Sequence, residues 1–270
     1  MAQDVLDQPR LTVEVVPKEP RQHTRIVKIL REALLLGVLF AFYSAGRYVA
    51  ARHSGAAFTN AELVVGIERA LGLPREVDLQ RATLSVPELP QAANGYYALV
   101  HFPLTIAVLL WLSLRRPAAY PRMRWAMVAL TGMAAIGHLA FPLAPPRMLP
   151  QLGFVDTGVR YGQSVYGAKT DGGIANQFAA MPSLHVGWAA MIAVVMILVT
   201  RSRWRWLWVL HPVVTFAVVV VTANHYWLDG LVALILLVCC LPLLGSAVRR
   251  PAGDTSVPSG ADQSVGIHRM

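Results

Sequence analysis

The sequence predicts an all-α protein whose helices cross a membrane six times. Of its 270 residues, 55% are hydrophobic and only 14% are charged, and the mean hydropathy is +0.48. A soluble domain carries more charge than this. Six stretches have few charges and the length of about twenty residues that a helix needs to cross a bilayer. The predicted spans cover residues 33–51, 96–114, 124–141, 184–200, 205–223 and 228–246.

The spans divide the chain into three parts: an N-terminal arm (1–30), a membrane domain (31–246) and a C-terminal tail (247–270). The arm and the tail are rich in Pro, Gly and polar residues and cannot bury enough apolar surface to order themselves, so we expect both to be flexible. A polar, basic arm precedes the first span and a second span follows it. We therefore expect the first span to remain a membrane helix and not to be a cleaved signal peptide.

Charge and cysteine usage argue against a nucleic-acid-binding protein, a disulfide scaffold and a zinc site. The chain has 24 Lys and Arg against 15 Asp and Glu, a formal charge of +9. Most of the basic residues fall in the arm, the tail and the loops 115–124 and 201–205, which six spans place on one side of the membrane. This distribution predicts that both termini are cytoplasmic, and it explains the charge without a nucleic acid. Cys239 and Cys240 are adjacent in an apolar helix, which excludes a disulfide scaffold and a zinc site.

Two long segments, 52–95 and 142–183, are predicted on the outer side; the second is the loop between spans 3 and 4. In the first, Thr59-x-x-Glu62 predicts a capping box at the start of a helix that Gly72 and Pro74 end. Its apolar residues, expected on one face, are Leu63, Val64, Ile67, Ala70 and Leu71. Such a helix lies in the membrane interface. It closes the bundle or, as the alternative, gates the entry of lipid.

Ionisable side chains at membrane depth are costly and mark functional sites. Six of them are candidates for a functional site: His101, His138, Arg147, His185, His225 and Asp229. His225 and Asp229 are four residues apart, which places them on one face of a helix. A carboxylate in that position fixes the tautomer of the imidazole and stabilises its charged form. The alternative is a buried ion pair that only connects two helices.

Two more motifs are suited to binding an anion. Pro182-Ser183-Leu184-His185 stands at the start of the fourth span, where backbone N–H groups, the Ser183 hydroxyl and the His185 ring would hold a phosphate. The alternative is a simple helix cap. Pro145 and Pro146 end the third span and hold Arg147 at the interface, where its guanidinium suits phosphate oxygens. The alternative for Arg147 is an arginine that only extends into the interface.

Arg147 after Pro-Pro, then Pro182–His185, then His225-x-x-x-Asp229, in this order on six spans, resemble the type 2 phosphatidic acid phosphatase superfamily. The resemblance covers about residues 30–245. Within the superfamily the chain is most similar to the inositol phosphorylceramide synthase branch. The similarity to that branch is carried by residues 94–101 (NGYYALVH), 145–147 (PPR), 181–185 (MPSLH) and 224–229 (NHYWLD).

The resemblance implies a role for each motif residue and requires no metal or other cofactor. It implies that His225 is the nucleophile that forms a phosphohistidine, that Asp229 orients it and that His185 protonates the leaving oxygen. It also implies that Arg147 and Ser183 hold the phosphoryl oxygens. Weaker candidates for a second layer around these residues are His138, His101, Asn224 and Tyr226. A single helical His such as His101 or His138 more often serves packing.

Two departures from the superfamily pattern favour a phosphodiester substrate. Ala140 stands where the family has a Lys, and Val218-Val219 stands where it has Ser-Arg. A phosphodiester carries one negative charge and needs fewer cations than a monoester. Leu184, in place of the usual Gly, also occurs in the preferred branch. The Gly-rich loop 151–180 suits a polyol headgroup pocket and equally suits a flexible loop.

These observations predict a phosphotransferase of the plasma membrane with its active site on the outer face. Its partners would be a phospholipid donor, with phosphatidylinositol as the favoured one, and a lipid hydroxyl as acceptor. One alternative is a lipid phosphatase that uses water and acts on phosphatidate or a polyprenyl phosphate. The other is a non-enzymatic transporter with a proton relay, against which the absence of inverted repeats counts.

Overall fold

The computed structural model describes residues 54–161 and 178–245 and, outside these ranges, Val27. The predicted first span, the tail and the rest of the arm lie outside the described residues, as do residues 162–177 of the long outer loop. All helices named below belong to one compact unit, Tyr43–Met270.

The described part of the chain is helical, as predicted. Its α-helices are α1 (Ser54–Ala70), α2 (Glu76–Leu84), α3 (Glu88–Leu99), α4 (His101–Arg115), α5 (Tyr120–Ala140), α6 (Thr157–Tyr161), α7 (Leu184–Val199), α8 (Leu210–Val221) and α9 (Trp227–Cys240). Short 3₁₀ helices lie at Pro146–Met148, Pro150–Leu152, Arg203–Val209 and Leu241–Leu244. The described ranges contain no strand, only an isolated bridge between Leu143 and Ala179.

Three helical stretches are long and apolar enough to cross a membrane. They are Glu88–Arg115, Arg203–Val221 and Trp227–Leu244. Leu184–Val199 is also apolar but has only 16 residues. The predicted third span forms helix α5, which does not meet the same limits of length and hydropathy. The described part of the chain is thus all-helical with three candidate membrane-spanning helices, and the six-span topology stays a prediction.

Apolar side chains on the outside of the bundle fit a surface in contact with lipid. A stripe on α3 and α4 with spacings of three or four residues is exposed: Leu99, Phe102, Ile106, Leu110 and Leu114. Exposed Trp204 and Trp206 carry the guanidinium groups of Arg203 and Arg205 over their rings. Indole rings beside basic side chains are typical of a membrane interface.

Helix α7 lies at the centre of the bundle. Its buried residues occur on every side of the helix: Val186, Gly187, Ala189, Ala190, Met191, Ile192, Ala193, Val195, Met196 and Val199. A helix that is apolar all round is one surrounded by other helices. The core packed around it includes Leu112 of α4, Leu130 of α5 and Leu237 of α9. This core fixes the start of α7, where His185 lies.

Helix α1 corrects the prediction for the first outer segment. The chain is already helical at Ser54, and the Thr59 hydroxyl donates to the Gly55 carbonyl oxygen at 3.2 Å. The predicted capping box was therefore wrong, because Thr59 bonds to the preceding turn as a threonine inside a helix does. The apolar residues divide between two faces: Leu63, Ile67 and Leu71 are exposed and Val64 is buried. The predicted end is confirmed, since Gly72 has a φ of +69° that favours glycine.

Candidate active site

Backbone hydrogen bonds bring the three sequence motifs together. The N–H of Arg147 donates to the carbonyl oxygen of Ala223 at 2.8 Å, and the N–H of Ser183 donates to that of Asp229 at 3.0 Å. The turn after α5, the start of α7 and the α8–α9 turn therefore form one site. Main-chain bonds of this kind fix the relative positions of loops more firmly than surface side chains do.

His225 is held through one ring nitrogen. Its Nδ1 lies 2.8 Å from the carbonyl oxygen of Ala180 and 3.1 Å from Oδ2 of Asp229. A carbonyl oxygen can only accept a hydrogen bond, so the hydrogen-bond network assigns the ring proton to Nδ1. The lone pair of a neutral ring is then on Nε2. The Ala180 carbonyl was not predicted, because a backbone oxygen leaves no signal in the sequence.

Asp229 reaches His225 by a route other than the one predicted. The sequence predicted a shared helical face, but α9 begins at Trp227, and its N-cap, Tyr226, is extended (φ −85°, ψ 167°). His225 therefore precedes the helix. Oδ2 of Asp229 also accepts the N–H of Tyr226 at 2.9 Å, so one carboxyl oxygen caps the helix and contacts the imidazole. Asp229 itself is fully buried.

Burial sets the protonation state of His225. It lowers the pKa of the imidazole to about 3; the hydrogen bond to Ala180 opposes this shift and the charge of Arg147 adds to it. His225 is therefore neutral near pH 7. A neutral imidazole with its proton on Nδ1 has a nucleophilic Nε2.

His185 lies in the first turn of α7, where its side chain packs against the rings of neighbouring aromatic and histidine side chains. Its ring stacks on Tyr97 with 4.4 Å between centroids and lies 5.0 Å from His101 and 5.8 Å from His225. Phe102 approaches edge-on at 5.6 Å. Nε2 of His185 is buried and has no hydrogen-bond partner among the described residues. Packing against neighbouring aromatic rings therefore positions this imidazole.

Arg147 supplies positive charge beside His225. Its Nη1 donates to Oδ1 of Asn224 at 2.7 Å, and its Nε lies 3.8 Å from Oδ2 of Asp156. Asn224 in turn donates to the Thr222 hydroxyl at 2.8 Å. Asn224, a weaker candidate in the sequence, thus orients the guanidinium. The arrangement gives an anion at His225 a buried and fixed counter-charge.

Ser183 is the N-cap of α7. Its Oγ accepts the N–H of Val186 at 3.4 Å, and the residue is fully buried. The helix-cap alternative therefore describes the contacts of Ser183 in the structure. Its predicted role in holding phosphate stays a prediction.

The other candidates support the loops. Nε2 of His138 lies 3.0 Å from the carbonyl oxygen of Pro182, and the Tyr226 hydroxyl donates to that of Ala144 at 2.9 Å. His101 is buried, with its ring centroid 5.7 Å from that of His211. No described atom of these three residues hydrogen-bonds His225 or His185, although the His101 ring contacts that of His185.

Sequence reasoning also missed two features beside His101 and Arg147. The first is a polar cluster of three residues next to His101. In it, the Tyr96 hydroxyl lies 2.7 Å from Nδ1 of His211 and 3.0 Å from the Thr215 hydroxyl. His211 is a further histidine inside a predicted span, so a full list of intramembrane histidines would have found it. The second is Ala223, whose φ of +55° lies in the left-handed region. Nothing in the sequence marks that conformation.

The described residues contain no group of three or more His, Cys, Asp or Glu placed to hold a metal ion. The predicted independence of metals and other cofactors stays a prediction. The profile of one family, described as the PAP2 superfamily, matches residues 62–243, well over half of the chain. The match includes every motif described above. No curated protein and no solved structure matches the chain.

Proposed function

The chain belongs to the PAP2 superfamily, whose members are generally phosphatases or phosphotransferases, and we propose that it transfers a phosphorylated headgroup to a lipid hydroxyl. The observation that carries the proposal is His225. Its Nδ1 is bound by two acceptors, its Nε2 has the lone pair, and Arg147 places a positive charge beside it. This is the arrangement that a phosphohistidine intermediate requires.

The proposed reaction has two displacements at phosphorus. Nε2 of His225 attacks the phosphorus, and the bond from phosphorus to the diacylglycerol oxygen breaks as His185 gives that oxygen a proton. Asp229 and the Ala180 carbonyl stabilise the charge that the ring gains while Nδ1 keeps its proton. The acceptor hydroxyl then attacks the phosphohistidine and gives its proton to His185. Both histidines return to their starting states.

The charges near His225 support a phosphodiester donor. The family positions for two further cations hold Ala140 and Val218-Val219, and Val219 is fully buried among apolar residues. Arg147 matches the single charge of a diester, whereas a monoester carries close to two. Phosphatidylinositol is the donor that the sequence resemblance favours. We place the site on the outer face of the plasma membrane, from the basic residues of the loops on the other side.

The test is an incubation of the purified protein in mixed micelles with phosphatidylinositol, phosphatidate and candidate lipid alcohols. Diacylglycerol released from phosphatidylinositol together with a new inositol phosphate lipid supports the transferase. Inorganic phosphate released from phosphatidate alone supports the phosphatase alternative and rejects the charge argument. His225→Ala is the control for the mechanism. We expect it to remain folded and to lose turnover by at least about 10⁴-fold, and retained turnover would reject the phosphohistidine.

A further inference from the structure

Three carboxyl groups bind the three backbone N–H groups that follow His225. The bonds run from Tyr226 N to Asp229 Oδ2 (2.9 Å), from Trp227 N to Glu76 Oε1 (3.3 Å) and from Leu228 N to Glu68 Oε1 (2.8 Å). These are the first N–H groups of α9, which have no partner inside their own helix. Only Asp229 belongs to α9. Glu68 comes from α1 and Glu76 from α2, more than a hundred residues earlier in the chain.

Both glutamates are buried, which is unusual for a helix cap. Glu68 is 3% exposed and Glu76 is 5% exposed. The N-terminus of a helix carries only about half a positive charge, too little to balance three carboxylates. A third bond, from Trp227 Nε1 to the carbonyl oxygen of Pro74 at 2.7 Å, joins the same outer segment to α9. The outer segment is therefore attached to the residues beside His225 at three points.

Protonation of Glu68 reduces the negative charge of these three carboxyl groups. Burial, and next the neighbouring carboxyl group of Glu76, raise the pKa of Glu68 to about 9, with a smaller contribution from Asp229. Because Oε1 accepts the Leu228 N–H, the proton of neutral Glu68 resides on Oε2, which is fully buried. Arg69 and Arg75 line the same surface pocket as the two glutamates.

We propose that Glu68 and Glu76 are positioning residues for His225, holding the start of α9 so that Asp229 can contact the imidazole. The proposal rests on the proposed function, since it takes His225 as the reacting group. Asp229 uses one oxygen for both the Tyr226 N–H and Nδ1 of His225. If the first turn of α9 frays, that oxygen moves away from the ring. A shift of about 1 Å in a reacting group is enough to cost about 10²-fold in rate.

The test compares three variants of α1. Glu68→Ala removes the acceptor of the Leu228 N–H. Glu68→Gln keeps an acceptor oxygen and places an N–H donor where the carboxyl proton was. Glu62→Ala is the matched control, because Glu62 is exposed on the same helix. For each variant, kcat and KM for the lipid donor are measured from about pH 6 to pH 10, together with the midpoint of thermal unfolding.

We expect Glu68→Ala to lower kcat by about 10- to 100-fold with KM changed less than about threefold, and Glu62→Ala to have no effect. Glu68→Gln keeps wild-type kcat at pH 7. The wild-type protein loses kcat as the pH rises through about 9 and Glu68 ionises beside Glu76 and Asp229. Glu68→Gln does not show this loss, since its amide does not ionise. A purely structural cap would not make the rate depend on pH in this way.

The free energy of unfolding depends on the same proton of Glu68. The folded protein holds a proton on Glu68 that the unfolded chain releases above its ordinary pKa of 4.5. Stability therefore falls as the pH rises from that value to about 9, and then levels off. Glu68→Gln is expected to lack this part of the decline. If Glu68→Ala does not fold, the pH profiles of the wild type and Glu68→Gln still decide the proposal.

Two results would overturn the proposal: a lower unfolding midpoint of Glu68→Ala with unchanged kcat, or an equal alkaline loss in Glu68→Gln and the wild type. A second probe separates this failure from that of the proposed function. Phosphoramidate transfers its phosphoryl group to Nε2 of histidine and releases ammonia, without any lipid. Slower labelling of His225 in Glu68→Ala than in Glu62→Ala supports the positioning role even if no lipid is turned over. Equal labelling rejects it.

Discussion

The two halves of the site are held by different forces. The carboxyl half, made of Ala180, Asp229, Glu68 and Glu76, contacts His225 and the start of α9 through hydrogen bonds of 2.8 to 3.3 Å. In the imidazole half, made of Tyr97, His101 and His185, the rings pack against one another with centroids 4.4 to 5.0 Å apart. Hydrogen bonds have direction, whereas stacked rings mainly require volume. The first half therefore fixes the orientation of the nucleophile.

The second half has buried imidazole nitrogens that no described residue hydrogen-bonds. Both ring nitrogens of His101 and one of His185 are buried without a hydrogen-bond partner among the described residues. Such groups cost about 1–3 kcal/mol each, a cost that proteins bear mainly at functional sites. A proton donor must release its proton during the reaction, which is harder when the proton is fixed by a strong acceptor. The contrast predicts that the carboxyl half responds to changes of hydrogen bonding and the imidazole half to changes of volume, apart from His185 itself.

After that of His225→Ala, the largest effect is expected at His185, the exception within the imidazole half. His185→Ala should lower kcat by about 10²- to 10⁴-fold with an alkyl leaving group, because diacylglycerol needs a proton to leave. A p-nitrophenyl phosphodiester, whose leaving group needs no proton, should show a much smaller loss. The measurement is the ratio of the two losses. Equal losses would show that His185 does not act as the acid.

A smaller effect is expected in the carboxyl half. Asp229→Asn keeps an oxygen for the Tyr226 N–H, and the Ala180 carbonyl still binds Nδ1 of His225. We therefore expect the tautomer to persist and kcat to fall by only about 10- to 100-fold, through the lost negative charge. Steady-state rates with the lipid donor measure this. A loss as large as that of His225→Ala would mean that Ala180 does not hold the ring.

His101 distinguishes volume from proton exchange. His101→Phe keeps a ring between His185 and His211 and should leave kcat within about threefold of the wild type. His101→Ala removes the ring, so it should lower kcat by about tenfold and stability by about 2–3 kcal/mol. Rates and unfolding midpoints of both variants are compared. If His101→Phe is as slow as His101→Ala, the imidazole nitrogens matter and the contrast between the two halves fails.

The motifs were accessible to sequence reasoning because their spacing and order are local properties. Arg147, Ser183, His185, His225 and Asp229 all lie at helix ends that prolines and apolar spans mark in the sequence. The way in which His225 meets Asp229 was not accessible. The four-residue spacing suits a helical face and equally suits a cap that reaches back over one turn, and only the backbone of Tyr226 decides between them.

Sequence patterns led to two different errors in α1, one at Glu68 and one at Thr59. Glu68 follows Ala57, Ala61 and Val64 on the buried face of α1, and a charged residue in an apolar stripe is a visible signal. It was missed because the exposed apolar residues suggested another face as the buried one. Thr59-x-x-Glu62 was misleading because the same pattern occurs inside helices.

The smallest expected effect concerns the turn that joins Arg147 to the α8–α9 segment. Ala223 has a φ of +55° and accepts the Arg147 N–H through its carbonyl oxygen. An alanine in this region is strained, whereas glycine is not, although glycine also gives the unfolded chain more freedom. Relief of backbone strain stabilises the folded variant, and the greater freedom of glycine stabilises its unfolded chain. Because these two effects oppose each other, Ala223→Gly should raise the free energy of unfolding by only about 0.5 kcal/mol. Chemical unfolding measures this. Unchanged kcat is expected because the hydrogen bond uses the backbone, and a large loss of kcat would show that the strained turn positions Arg147.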